Sequence, residues 1–227
     1  MTDLTLVYFK MRALGEAPQL MLRHSNQPYR YAMGWEYFGK PWAEAKRGAT
    51  FRQLPMLVTE EGTGIAQTGA IMRYLARRLG LVPADPLTAA LVDEVFEGAH
   101  ELFAHFNPVV NFHTGDQFRA SKEACLPVLH NRFADFELLL ARHDGPFFFG
   151  ESPYYCDFAA FHHIDLAHFI DEAILADYPR LQGFMAGMRG LPGVSAYLAE
   201  RPELIGVGVG PKLVIDGMPV PTGITAD

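Results

Sequence analysis

A strand-end phenol, a proline after an apolar residue, a hydroxyl at a helix start and an acidic helix face are the features of this sequence that could do chemistry. Tyr8 ends Leu4-Thr5-Leu6-Val7-Tyr8, an alternating β-prone run that breaks near Lys10. The pattern restarts at Glu16 with the helical spacing of Ala17, Leu20, Met21 and Leu22. In open α/β sheets ligands sit at the carboxyl ends of strands, so Tyr8 faces either a ligand or, on the plainer reading of the strand alone, its half-buried neighbours. Pro55, after Leu54, keeps the short run Gln53 to Val58 out of a central place in a sheet unless the proline is special. Thr68, with Gln67 before it, is expected to cap a helix from Gly69 to Leu79, and that helix's positive end suits an anion. Glu97, His100 and Glu101 are three and four apart and share a helix face, which solvation explains about as well as a ligand does.

No metal is expected. His100 and His105 are five apart and point in different directions on a helix, while His162, His163 and His168 lie in an aromatic-rich helical stretch that suits packing. Cys125 and Cys156 stand alone, without redox or zinc spacing, and read as free thiols. Gly206-Val207-Gly208-Val209-Gly210 is followed by Pro211 and no helix pattern, so it reads as a flexible tail and not as a nucleotide loop.

The elements that must position these groups divide the chain in two. Up to about Gly80 short alternating runs and helical runs exchange repeatedly, with a second strand at Tyr29 to Met33, a loop from Gly34 to Gly48 and a hairpin turn at Glu60 to Gly64. After Asp85-Pro86, a good helix start, only helical periodicity appears as far as Arg201. Leu87, Leu91, Val95, Leu102 and Phe106 mark a first long helix, and Ala124 to Arg142 a second. An α/β domain over 1–81 and an all-helical domain over 85–227, with an extended tail from about 206, is the expected organisation. In that tail Leu213-Val214-Ile215, Met218, Val220 and Ile224 are too apolar to be solvated, so it should lie extended on the protein, burying Ile215 or Met218.

The chain has 227 residues, 49% of them hydrophobic and 20% charged, with a net charge of -7, as in a globular protein that avoids nucleic acid and anionic membrane surfaces. No apolar stretch approaches the ~20 residues that span a bilayer, so a cytoplasmic location and no membrane partner are expected.

In combination these residues resemble the cytosolic glutathione transferases over nearly the whole chain. Tyr8-Phe9-x-Met11-Arg12 before Gly15-Glu16 resembles the strand-to-helix turn of the tyrosine-dependent classes, closest to sigma. Trp42-x-x-x-Lys46, Gln53-Leu54-Pro55 and Gln67-Thr68 follow in the family's order, and Tyr178-Pro179-Arg180-Leu181, Leu191-Pro192-Gly193-Val194 and Arg201-Pro202 are similar to its closing helices. The resemblance implies a thioredoxin-like domain, then an all-helical one, with glutathione bound in the first and the C-terminal tail docked on the second over part of the pocket.

Each position then acquires an implied role. Tyr8 would donate to the glutathione sulfur and favour the nucleophilic thiolate. A drop of about two units from a thiol pKa near ~8.5 corresponds to roughly 2.7 kcal/mol. One hydrogen bond to a charged group, at about 1.5 to 3 kcal/mol, nearly supplies it. Pro55 would be cis and present the Leu54 backbone to the cysteinyl unit. Gln67 and Thr68 would hold the γ-glutamyl carboxylate, Trp42 and Lys46 the glycyl end, and Arg12, Leu14 and Gln53 complete the glutathione-binding set. Glu101, with Glu97 near it, would reach the γ-glutamyl amine bound to the other subunit of a homodimer. Met11, Leu14, Phe103, Phe106 and Asn107 would wall the pocket for a small-molecule electrophile.

Departures from the pattern are specific. Leu14 stands where several classes have a second Arg, although mu-class proteins are similar to this chain there, and the Gly34 to Pro41 loop also resembles mu in length. Glu101 replaces the usual Asp, and Tyr154 the usual helix-capping Ser or Thr before Asp157, leaving half a capping box. Conjugation of the glutathione thiolate to an apolar electrophile is the leading expectation. A glutathione-dependent isomerase of the prostaglandin D synthase type, or a non-enzymatic binder on the same scaffold, is the alternative.

Overall fold

The computed structural model describes residues 4–226. Strand β1 (Leu4–Tyr8) is buried along its whole length, as an apolar run between two neighbours must be. It pairs in parallel with β2 (Tyr29–Met33), Tyr8 opposite Met33, and antiparallel with β3 (Met56–Val58), Val7 opposite Met56. With β4 (Gly64–Ala66) the sheet has the order β2-β1-β3-β4. Alternation sends Leu4 and Leu6 to one face, where they pack with α1 (Glu16–His24) and α4 (Thr68–Leu79), and Val7 to the other, towards Trp42 and Ala45. The stretch read as a loop after β2 instead holds α2 (Gly34–Phe38), α3 (Trp42–Ala45) and two single 3-10 turns, Lys46–Gly48 and Thr50–Arg52.

The second half is helical. Asp85 caps α5 (Pro86–His100) by accepting from the Thr88 backbone N–H at 2.8 Å, with Pro86 in the first turn. The apolar stripe does not form one helix through Phe106: at Leu102 the backbone N–H bonds back only three residues, to Ala99, and the chain resumes as α6 (Phe103–Asn111). Next come α7 (Gly115–Leu140), α8 (Tyr155–Ala167), α9 (Pro179–Gly190) and α10 (Pro192–Glu200). Helix α8 is buried throughout and runs through the main core beside α5 and α1. The half box at its start is real: Asp157 accepts from the Tyr154 N–H at 2.8 Å and, with its other oxygen, from the Phe148 N–H at 3.1 Å.

The tail is folded, and it does not lie on the helices alone. It forms a three-stranded antiparallel sheet, β5 (Glu203–Ile205), β6 (Lys212–Ile215) and β7 (Met218–Pro221). The glycine run is the β5–β6 turn. Gly208, at φ +79, accepts from the Gly115 N–H at 2.9 Å and lies so close to Phe118 that a Cβ would fall 2.7 Å from its ring. Gly223 exchanges backbone hydrogen bonds with Lys10 at 3.1 and 3.2 Å, while the Thr222 hydroxyl donates to the Asn111 carbonyl at 2.7 Å. The tail therefore joins the turn after β1 to α6. Leu213 takes the buried position expected of Ile215 or Met218: Ile215 is half-buried and Met218 is 67% exposed. Among the described residues no helix is long and apolar enough to cross a membrane.

Candidate functional site

Tyr8 belongs to a small apolar cluster separate from the main core, with Phe9, Met11, Trp42 and Leu54 buried in it and Leu14 and Phe103 packed against it. Its hydroxyl oxygen accepts the Leu14 backbone N–H at 3.2 Å, which leaves the phenolic proton free to be given elsewhere. Burial pushes the Tyr8 pKa well above its ordinary value, outweighing the Leu14 hydrogen bond that lowers it, so the group is a proton-bearing donor and not a base. Gly15 makes this placement possible, because any Cβ there would lie 2.7 Å from the Tyr8 ring.

The Leu54–Pro55 peptide is cis. Leu54 stands just ahead of the β3 ladder, whose pairs with β1 and β4 begin at Met56. Gln67, and not Thr68, is the N-cap of α4, and it sits at φ +74, a conformation that a glutamine rarely holds without a constraint. Its side-chain amide donates to Gln53 at 3.2 Å. Thr68 falls inside the first turn, buried, with its hydroxyl oxygen lacking any partner among the described residues. A buried orphan hydroxyl at a positive helix end is what a bound carboxylate would satisfy. Trp42 packs edge-on against Phe9, ring centres 5.4 Å apart, and Lys46 is exposed at the end of α3.

Other expected residues are placed differently. Arg12 turns away from this cluster: its guanidinium donates to the Pro202 carbonyl at 2.6 Å and lies over Phe169, among groups from α1 and the tail. Phe106 is fully buried in the main core, stacked on His163, so it has no surface to offer a ligand. Met11, Leu14 and Phe103 do gather around Tyr8, and Asn107 accepts from Asn111, whose amide also donates to the Arg12 carbonyl. The acidic face is neutralised within the chain, Glu97 by Arg73 and Glu101 by Arg132 at 2.6 Å. Phe9, which links Tyr8 to Trp42, carried no role in the sequence; its place directly after the strand-end tyrosine was the available signal.

Residues 100–201 match the family model described as "Glutathione S-transferase, C-terminal domain". The curated protein "Glutathione S-transferase P 10" of Caenorhabditis elegans is 31% identical over 197 residues, 86% of this chain and 90% of the relative. This chain belongs to the glutathione S-transferase family. Among solved structures, the glutathione S-transferase from Ascaris lumbricoides superposes on this family member with a TM-score of 0.79 and 26% identity, covering 88% of this chain and 98% of that one. The prostaglandin synthase D of Nilaparvata lugens, at TM-score 0.74 and 19% identity over 88% of this glutathione S-transferase chain and 99% of its own, shares the fold.

Proposed function

We propose that this glutathione S-transferase conjugates glutathione to an apolar electrophile, with Tyr8 as the catalytic residue. The observation that carries the reading is the Tyr8 hydroxyl oxygen, which accepts the Leu14 N–H and so keeps its own proton available for a sulfur. Residues 1–81 hold glutathione: Tyr8 donates to the sulfur, Leu54 pairs its backbone with the cysteinyl unit, Thr68 and Gln67 take the γ-glutamyl carboxylate, and Lys46 balances the glycyl carboxylate beside Trp42. The second domain, 85–227, supplies Phe103 and Asn107 to the wall that Met11 and Leu14 begin. With the thiol proton released to solvent, the sulfur lone pair attacks the electrophilic carbon as its leaving group departs or its ring opens. Tyr8 lowers the cost of the charged sulfur by donating to it.

The same reading makes the protein a cytoplasmic homodimer. Phe51 is 69% exposed and held at φ +57, with Arg52 beside it at φ +56, two non-glycine residues in a left-handed conformation. Elsewhere on the chain, Leu91, Val95, Leu139, Phe148 and Phe149, together with Glu94, Arg142 and His143, line a small pocket. A projecting aromatic and a pocket on the same chain are complementary under two-fold symmetry. Activity of the purified protein with glutathione against electrophiles, epoxides and endoperoxides tests the reading: adduct formation supports conjugation, rearrangement of endoperoxides alone makes the protein an isomerase, and no turnover of any of them refutes both.

A further inference from the structure

A cavity of about 260 Å³ lies where β6 of the tail crosses the turn after β1. Tyr8, Leu54 and Thr68 are not on its walls. Phe9, Met33, Leu213 and Ile215 form its apolar end; Arg12, Glu16, Tyr197 and Arg201 form its polar end.

The polar end is almost fully paired. Arg201 donates to Glu16 at 2.7 Å and to Asp165 at 2.7 Å, Arg189 donates to Asp165 at 3.0 Å, and the Tyr197 hydroxyl donates to Glu16 at 3.0 Å. The exception is Arg12, only 7% exposed, whose Nε has no acceptor and whose one hydrogen bond goes to a neutral carbonyl, that of Pro202. Arg189 is half exposed, so the buried part of this cluster sets Arg12 and Arg201 against the carboxylates of Glu16 and Asp165, and Arg12 is the arginine of the two that pairs with neither. Burial holds His162, which feels the same charges, neutral by pushing its pKa down to about 4. A buried guanidinium N–H with no acceptor is costly even where the carboxylates of Glu16 and Asp165 lie near enough to act on its charge, and an anion in the cavity would supply that acceptor.

We propose that this cavity binds a small amphipathic monoanion, a carboxylate on a short aliphatic chain, whose oxygens accept from Arg12 and whose chain packs against Leu213 and Ile215. The single unpaired guanidinium of Arg12 selects a ligand with one acidic head group. The volume, just below the ~300 to 1,000 Å³ of ordinary ligand pockets, selects a short chain. Apolar walls exclude a bare inorganic anion. The site borders the one given to Tyr8, with Phe9 and Met11 lining it too, but shares neither the phenol nor the α4 N-terminus.

Titration calorimetry of the full chain with sodium octanoate, with acetate and 1-octanol as comparisons, tests the site. Octanoate should bind saturably, one per chain, with acetate and 1-octanol each at least about tenfold weaker. Arg12→Met should weaken octanoate by about tenfold or more while leaving 1-octanol unchanged. Ile215→Trp, which fills the apolar end, should abolish octanoate binding and keeps the test open if Arg12→Met does not fold. Saturating S-hexylglutathione should leave octanoate affinity unchanged. The proposal is overturned if octanoate does not saturate, if Ile215→Trp or a folded Arg12→Met binds it as the parent does, or if S-hexylglutathione displaces it, which would place octanoate beside Tyr8.

Discussion

Gly15 abuts the Tyr8 ring: a Cβ at Gly15 would lie 2.7 Å from Tyr8 Cδ1 and 3.0 Å from Cγ. Both neighbours are ring carbons of a side chain buried in its cluster, so the ring must move to admit a methyl group. Gly15→Ala should therefore displace the phenol that Leu14 holds. Because a displacement of about 1 Å can cost ~100-fold in rate, kcat should fall roughly 10- to 100-fold while glutathione affinity changes only a few-fold. Steady-state kinetics beside equilibrium binding of glutathione separates the two effects.

Removing the projecting aromatic should break the dimer. Phe51→Ser deletes an exposed ring that no intrachain packing requires, so the monomer should still fold and sediment as a monomer at micromolar concentration. If the parent dimer brings the α5 face to the partner's site, Glu101→Ala should also weaken glutathione binding more than Glu97→Ala does. Sedimentation showing the parent itself to be monomeric contradicts the assembly.

Arg201 ties the chain's two ends together, reaching Glu16 at the start of α1 and Asp165 in α8 from just beyond α10. Its side chain and that of Glu16 are 10% and 4% exposed, so Arg201→Met leaves Glu16 buried without its cation, while Asp165 keeps Arg189. Breaking a buried pair in this way costs about 3 to 5 kcal/mol. Urea unfolding of the parent and Arg201→Met measures it directly.

These elements show why the sequence discloses one part of the molecule and conceals another. Tyr8, Leu54–Pro55 and Gln67–Thr68 each sit at a strand end or a helix start, where local pattern alone marks a boundary. The Glu16–Arg201 pair spans 185 positions and leaves no local mark. The resemblance of Tyr8-Phe9-x-Met11-Arg12 to the family's turn puts Arg12 with Tyr8, whereas the turn after β1 sends its side chain to the tail. The start of α7 was hidden because residues 115–123 are polar and mostly exposed, and the break at Leu102 because the apolar stripe continues across it. One signal was present and went unused: Asp216-Gly217, at φ +51 and +76, is the two-residue hairpin turn joining β6 to β7.

Acid should weaken the fold through α8. Burial depresses the His162 pKa to about 4, and His163 lies well below its ordinary value for the same reason. Between about pH 6.5 and 4 the unfolded chain binds protons that the folded histidines refuse, so stability falls as pH drops through that window, by about 3 kcal/mol for His162 alone. Asp157 acts in the opposite sense, because burial raises its pKa to about 6 and the folded state takes up its proton first. His162→Gln should therefore flatten the acid limb of stability against pH, and Asp157→Asn should steepen it. Urea midpoints from pH 7 to pH 4.5 report both slopes.

The role of Tyr8 is tested most directly by titrating the glutathione thiol bound to the parent and to Tyr8→Phe, following thiolate absorbance in the ultraviolet. The substitution removes one hydroxyl and little area, so glutathione should still bind within a few-fold. The bound thiol pKa should rise by one to two units, the loss of about 1.5 to 3 kcal/mol from a charge-assisted hydrogen bond, and conjugation should slow at neutral pH. A bound thiol that titrates at the same pH in both proteins, with equal conjugation rates, contradicts the account.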